Sequence, residues 1–174
     1  MTTQEREFEL AVRSYSKDMY RFAFWLCHDH HVAEDLVQES FQRAWSHWGK
    51  LNDAVTLKKW LFSILRNEFL RRFERKQIDT VDMDEVEMPM AGGLGLDEAY
   101  GLRQMLMNAP VSLCEPLLLQ VLGGYSAEEL AELYQTSTGA VTTRLSRARQ
   151  WLRKQLHQDK QDFSTTLSKG EQLL

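Results

Sequence analysis

Two stretches of the chain concentrate cations at helical spacing, an arrangement suited to neutralising the phosphates of a nucleic acid. Arg66 to Lys76, RNEFLRRFERK, holds five basic and two acidic residues, and Arg144 to Lys154, RLSRARQWLRK, holds five basic and none acidic. Between them, Asp79 to Glu98 holds seven acids and no base. The formal net charge of the 174 residues is −4, so the sum argues weakly against a nucleic-acid binder while the distribution argues for one. Local fields decide, because screening cuts exposed charges off beyond about 8 Å at physiological salt.

Other chemistries find less support. The chain contains no nucleophile elbow, phosphate loop, metalloprotease helix or glycine-rich dinucleotide turn, so no catalytic residue is expected and the protein reads as no enzyme. Cys27, His28, His30 and His31 offer metal-binding side chains, and residues 27 and 31 would share a face if a helix ran through them. A tetrahedral site needs four converging ligands with fixed outer partners, and this segment falls in an expected polar turn. No metal and no cofactor is therefore expected. Cys27 and Cys114 are too few and too far apart for a disulfide framework and read as reduced packing residues.

The elements that must carry these residues are helices. Three prolines and nine glycines interrupt the chain, and apolar residues recur at steps of three and four. One amphipathic helix is marked by Phe8, Val12, Tyr15, Met19, Phe22 and Leu26, a second by Val32, Leu36, Val37, Phe41, Ala44 and Trp48. The short CHDHH stretch between them makes the two antiparallel neighbours. After a loop over Gly49 to Thr56, a third helix is expected from about Leu57 to Lys76, with Leu57, Trp60, Leu61, Ile64, Leu65 and Phe69 inward. Residues 1–76 thus form a first domain and 77–97, acidic and glycine-rich, a flexible linker.

A second domain is expected over 98–157. It opens with a helix carrying Leu102, Met105 and Leu106, turns at Ala109-Pro110, and resumes with the apolar run Leu117 to Leu122 before Gly123-Gly124. Ser126 and Glu129 are spaced as a capping box for a short helix ending near Tyr134. Four residues later a long helix begins behind Ser137, with Val141, Leu145, Ala148, Leu152 and Leu156 inward. This is helix-turn-helix spacing, and Thr142, Thr143, Ser146 and Arg147 lie where such motifs read base edges. The fold class is all-α, two small helical domains followed by a polar tail over 158–174. With no apolar leader and no apolar run of membrane-spanning length, a cytoplasmic protein without membrane insertion is expected.

Two stretches together resemble a known family, the extracytoplasmic-function (ECF) sigma factors of the sigma-70 class. AEDLVQESFQRAW (Ala33 to Trp45) followed by KKWLFSILRNEFLRRFER (Lys58 to Arg75) resembles sigma region two. SAEELAELYQTSTGAVTTRLSRARQWL (Ser126 to Leu152) resembles region four. The resemblance implies a sigma factor that binds core RNA polymerase and directs it to promoter DNA, held by an anti-sigma factor until a signal arrives. It implies that Asp35, Gln38 and Glu39 face the polymerase. Arg66, Asn67, Arg71, Arg72 and Arg75 would approach the minus-ten element, with Trp60 near the site of strand opening or, at its spacing from Leu57 and Ile64, in the core.

In region four, Thr142, Thr143, Ser146 and Arg147 would discriminate the minus-thirty-five element, with Arg144, Arg149, Arg153 and Lys154 on phosphates. Opening roughly ten base pairs at about 1.4 kcal/mol of stacking each costs on the order of 14 kcal/mol, more than a few base contacts supply, so such a protein acts with polymerase. Two departures from the family stand out. Tyr134-Gln135 occupies a turn where glycine is common, which predicts strain, and Pro116 suggests that the helix there starts late. A free-standing helix-turn-helix regulator is the alternative, and it would normally use dimeric half-sites.

Overall fold

The structure, a computed structural model, describes residues 2–50, 54–79 and 108–170, and at 50, 54–55, 74–79 and 158–170 the backbone path alone. The described residues form helices α1 (Thr3–Cys27), α2 (His30–His47), α3 (Ala54–Asp79), α4 (Val111–Leu118), α5 (Ala127–Leu133) and α6 (Thr138–Gly170). A 3-10 turn at Trp48–Lys50 follows α2, and a π turn at Leu119–Gly123 follows α4. No strand occurs among the described residues. The all-α expectation holds.

The contacts divide the described residues into two units. One comprises α1, α2, α3 and Leu118–Tyr125, the other the residues up to Leu117 that carry most of α4 together with Ser126 onward. In the first unit the apolar stripes read from the sequence converge: Met19, Phe22 and Leu26 of α1, Leu36, Val37, Phe41 and Ala44 of α2, and Leu61, Ile64 and Leu65 of α3 are buried. The joint between α1 and α2 takes two residues. His28 closes α1 in the left-handed region at φ 56, and the Asp29 carboxylate accepts the Val32 N–H to open α2. That bond holds the Asp29 carboxyl below its ordinary range.

The structure corrects several expectations. The loop expected to reach Thr56 is shorter, since the chain passes through the 3-10 turn and α3 begins at Ala54. Helix α3 also runs on to Asp79; the remainder of the expected linker and the helix expected around Leu102 lie outside the described residues. The helix bearing Pro116 starts early, at Val111, because the Pro110 carbonyl accepts the N–H groups of Leu113 and Cys114, both at 3.0 Å. Pro116 therefore sits inside α4, where it removes one backbone donor, and the helix widens into the π turn three residues later.

Leu118–Tyr125, expected in the second domain, groups with the first unit. Tyr125 ties it there: its hydroxyl donates to the Lys59 carbonyl at 2.5 Å and accepts from the Ser63 hydroxyl at 2.7 Å. Gly123 is required beside it, since a β-carbon there would stand 2.9 Å from the Tyr125 ring.

In the second unit the Ser126–Glu129 capping box forms as read, each residue bonding the other's backbone N–H. Helix α5 ends with Thr136 N–H on the Ala131 carbonyl and Gln135 N–H on the Glu132 carbonyl, which puts Gln135 in the left-handed position at φ 52. Glycine takes that position without its β-carbon penalty. Replacing Gln135 by glycine is therefore expected to stabilise this unit by up to about 1 kcal/mol, the relief of a left-handed β-carbon less the added freedom of glycine when unfolded. Thermal unfolding of the full chain checks it, and Gln135→Val should shift the midpoint downward.

Candidate nucleic-acid interface

Helix α6 opens under Ser137, whose hydroxyl accepts the Ala140 N–H at 3.2 Å. Val141, Leu145 and Ala148 are buried, with Leu130 and Ala131 of α5 buried in the same unit. That burial fixes the phase of the helix. Thr142, Thr143, Arg144, Ser146, Arg147 and Arg149 are consequently all exposed, as the sequence reading requires of residues that enter a groove.

Local bonds refine what these side chains can offer. The Thr142 hydroxyl donates to the Thr138 carbonyl and the Thr143 hydroxyl to the Gly139 carbonyl, each at 2.9 Å. With their protons committed, the two threonines present an acceptor and a methyl group, a match for exocyclic amino groups and thymine methyls. The Arg144 guanidinium lies 5.6 Å from the centre of the Tyr134 ring, and Tyr134 in turn donates to Glu115 at 2.9 Å. Arg144 is thus steadied against the turn, while Ser146 and Arg147 stand clear of it. Arg153 and Lys154 continue the exposed basic face.

In the first unit, α2 turns Ala33, Leu36, Val37 and Ser40 inward, which leaves Asp35 and Gln38 exposed and Glu39 half-buried. On α3, Asn67 is exposed and Arg66 and Trp60 are half-buried. The side chain of Arg75 lies outside the described residues. Arg72 is drawn to α2, with its guanidinium 2.6 Å from Glu39 and 3.9 Å from Asp35. The structure thereby brings together residues that the sequence assigned to two different partners.

A second cross-helix group was not read from the sequence. Glu68 is 6% exposed and is held by Arg43 of α2, at 2.5 Å, and by Arg71. These residues line a polar cleft of about 470 Å³ between α2 and α3. Glu68 follows Leu61, Ile64 and Leu65 at inward spacing, which is the signal that could have found it.

The Cys27 to His31 segment has other partners. His30 Nδ1 and the Tyr20 hydroxyl are 2.5 Å apart, and the His30 ring stacks 4.3 Å from Phe24. Cys27 donates to the Asp29 carbonyl at 3.3 Å, and burial pushes its thiol up. Among the described residues no group of three or more His, Cys, Asp or Glu is placed to hold a metal ion. No described helix is long and apolar enough to cross a membrane.

An all-helical first unit with an acid–arginine cross-link, and a second unit that presents an exposed polar and basic helix face from a helix-turn-helix, have the form of a nucleic-acid-binding protein. Residues 11–78 match the family model for sigma-70 region 2, and residues 66–158 match that for the ECF sigma factor. RNA polymerase sigma factor SigV of Bacillus subtilis (strain 168) is 30% identical, with 88% of this chain and 92% of that protein covered. ECF RNA polymerase sigma factor SigM of the same organism is 31% identical over 80% of this chain and 88% of its own. The solved structure of the sigma factor RpoE in complex with the anti-sigma factor NepR, from Bartonella quintana, aligns with TM-score 0.67 and 26% identity over 87% of this chain and 98% of that one. The chain belongs to the ECF sigma factors, and its function is that of a sigma factor in transcription initiation.

Proposed function

We propose that the exposed start of α6 reads the minus-thirty-five element through Thr142, Thr143, Ser146 and Arg147, with Arg144, Arg149, Arg153 and Lys154 on neighbouring phosphates. The observation that carries this is the partition of α6, with Val141, Leu145 and Ala148 buried and the four reading residues exposed. In the first unit, Arg66 and Asn67 of α3 approach the minus-ten element, joined by Arg75. Trp60, half-buried, borders the strand-opening site. Asp35, Gln38 and Glu39 of α2 dock on core RNA polymerase. The protein acts in the cytoplasm and carries no reaction of its own; polymerase performs the phosphodiester chemistry. A cognate anti-sigma factor is a further partner, as NepR is for the Bartonella RpoE.

Run-off transcription with purified core polymerase, with and without this protein, on a genomic promoter library tests the whole assignment. Discrete start sites that share two spaced upstream elements are the expected result. DNA binding by the protein alone, without start sites or polymerase association, would instead establish a free-standing regulator.

A further inference from the structure

We propose that Arg72 works on the polymerase-facing side of the molecule, as a positioning residue that holds Asp35 and Glu39 side by side as one double-carboxylate face. The inference rests on the assignment of those acids to the polymerase and changes the partner of Arg72 from DNA to α2.

Asp35 and Glu39 are four residues apart on α2, so their like charges repel across one helical turn. A cation between them offsets that repulsion and lets both carboxylates be held on one face. Helix α3 supplies it, with the Arg72 guanidinium 2.6 Å from Glu39 and 3.9 Å from Asp35. Arg71 is committed elsewhere, since it and Arg43 are joined to Glu68.

The geometry leaves the acids available. Their side chains are 63% and 45% exposed, against 32% for Arg72, so the cation lies behind and the carboxylates in front. A carboxylate has four acceptor positions, and one bond to arginine leaves the others for cationic groups of a partner. Holding Glu39 in one rotamer before docking removes part of the ordering cost that each long side chain otherwise brings to an interface.

The test titrates labelled full-length protein with core polymerase for the wild type and for Arg72→Ala, Arg72→Lys, Glu39→Gln, Asp35→Asn and the double variant Glu39→Gln/Arg72→Ala. In parallel, preassembled holoenzyme is titrated with a single-stranded oligonucleotide carrying the minus-ten non-template sequence, and thermal midpoints report folding. Arg72→Ala is expected to weaken core binding by up to about fivefold, the upper end of what an exposed ion pair contributes. Lysine should restore most of it, the double variant should bind no worse than Glu39→Gln alone, and oligonucleotide affinity should be unchanged.

Unchanged core binding with weaker oligonucleotide binding would return Arg72 to the DNA. No change in either would make the pair a solvated surface contact and overturn the proposal. If Glu39→Gln and Asp35→Asn both leave core affinity intact, the acidic face itself is misassigned; if they weaken it and Arg72→Ala does not, only the role of Arg72 fails. Should Arg72→Ala not fold, Arg72→Gln, which keeps the length and drops the charge, takes its place under the same criteria.

Discussion

Replacing Phe62 by alanine is expected to cost the first unit about 3–5 kcal/mol, the usual range for emptying a buried aromatic site. Phe62 is fully buried, its ring 5.6 Å from that of Phe22, and Gly123 approaches it from the segment that Tyr125 anchors. Helices α1 and α3 and the Leu118–Tyr125 segment therefore meet at one ring, so emptying it removes contacts from all three at once. Against a total stability of about 5–15 kcal/mol for a small domain, such a loss leaves the unit marginal at 37 °C. Urea unfolding of the full chain followed by circular dichroism measures it. A shift under about 1 kcal/mol would show that the surrounding helices collapse into the space and that the ring does not hold the three elements together.

Replacing Arg147 by alanine is expected to lower run-off from promoters that depend on the minus-thirty-five element by about five- to 150-fold, because one good base contact carries roughly 1–3 kcal/mol of discrimination. Arg147 is exposed on the polar side of α6, one residue before buried Ala148, so truncation removes an exposed guanidinium and leaves the packing alone. Arg153→Ala is the informative contrast. A phosphate contact should weaken all promoters alike and reduce the salt slope by about one. If Arg147→Ala also lowered every promoter equally, its guanidinium would belong on the phosphates and base discrimination would fall to Thr142, Thr143 and Ser146.

The parts of this molecule that were legible in the sequence are those whose cause is local. Ser126 and Glu129 name a capping box within three residues, Ser137 names the next helix start, and the periodicity of Val141, Leu145 and Ala148 fixes which side of α6 faces out. The strain at Gln135 follows from where a helix must turn and from the absence of glycine there. Phe62 was missed for a different reason. It lies beside Leu61 on a helix packed by α1, α2 and a returning segment at once, so its buried surface is wider than the single stripe that a 3.6-residue period reveals.

Charge pairing was illegible for the same tertiary reason. Arg72 read as a DNA-facing cation in a basic run, and only the placement of α2 against α3 turns it toward Glu39 and Asp35; Arg71, by contrast, pairs with Glu68 one turn back on its own helix. Glu68 could have been suspected from its inward spacing, but the partner that makes its burial tolerable, Arg43, is on another helix. A buried carboxylate with its cations removed is costly, so the local rules for a solvated helix face do not apply to this cleft. Pro116 misled for the opposite reason, because a strong local signal against helix was overridden by the burial of its ring.

The two-residue joint at His28 and Asp29 also sets an order of assembly. Helices α1 and α2 meet across almost no intervening chain, so the closure entropy of that hairpin is small, and both of its helices are synthesised before the rest of the unit. The Tyr125 hydroxyl must find the Lys59 carbonyl across a separation of 66 residues. Contacts at that distance form slowly, since loop closure must precede any gain from the contact. The first unit is thus built hairpin first and fastened last, by a tyrosine that leaves the ribosome after every helix it holds.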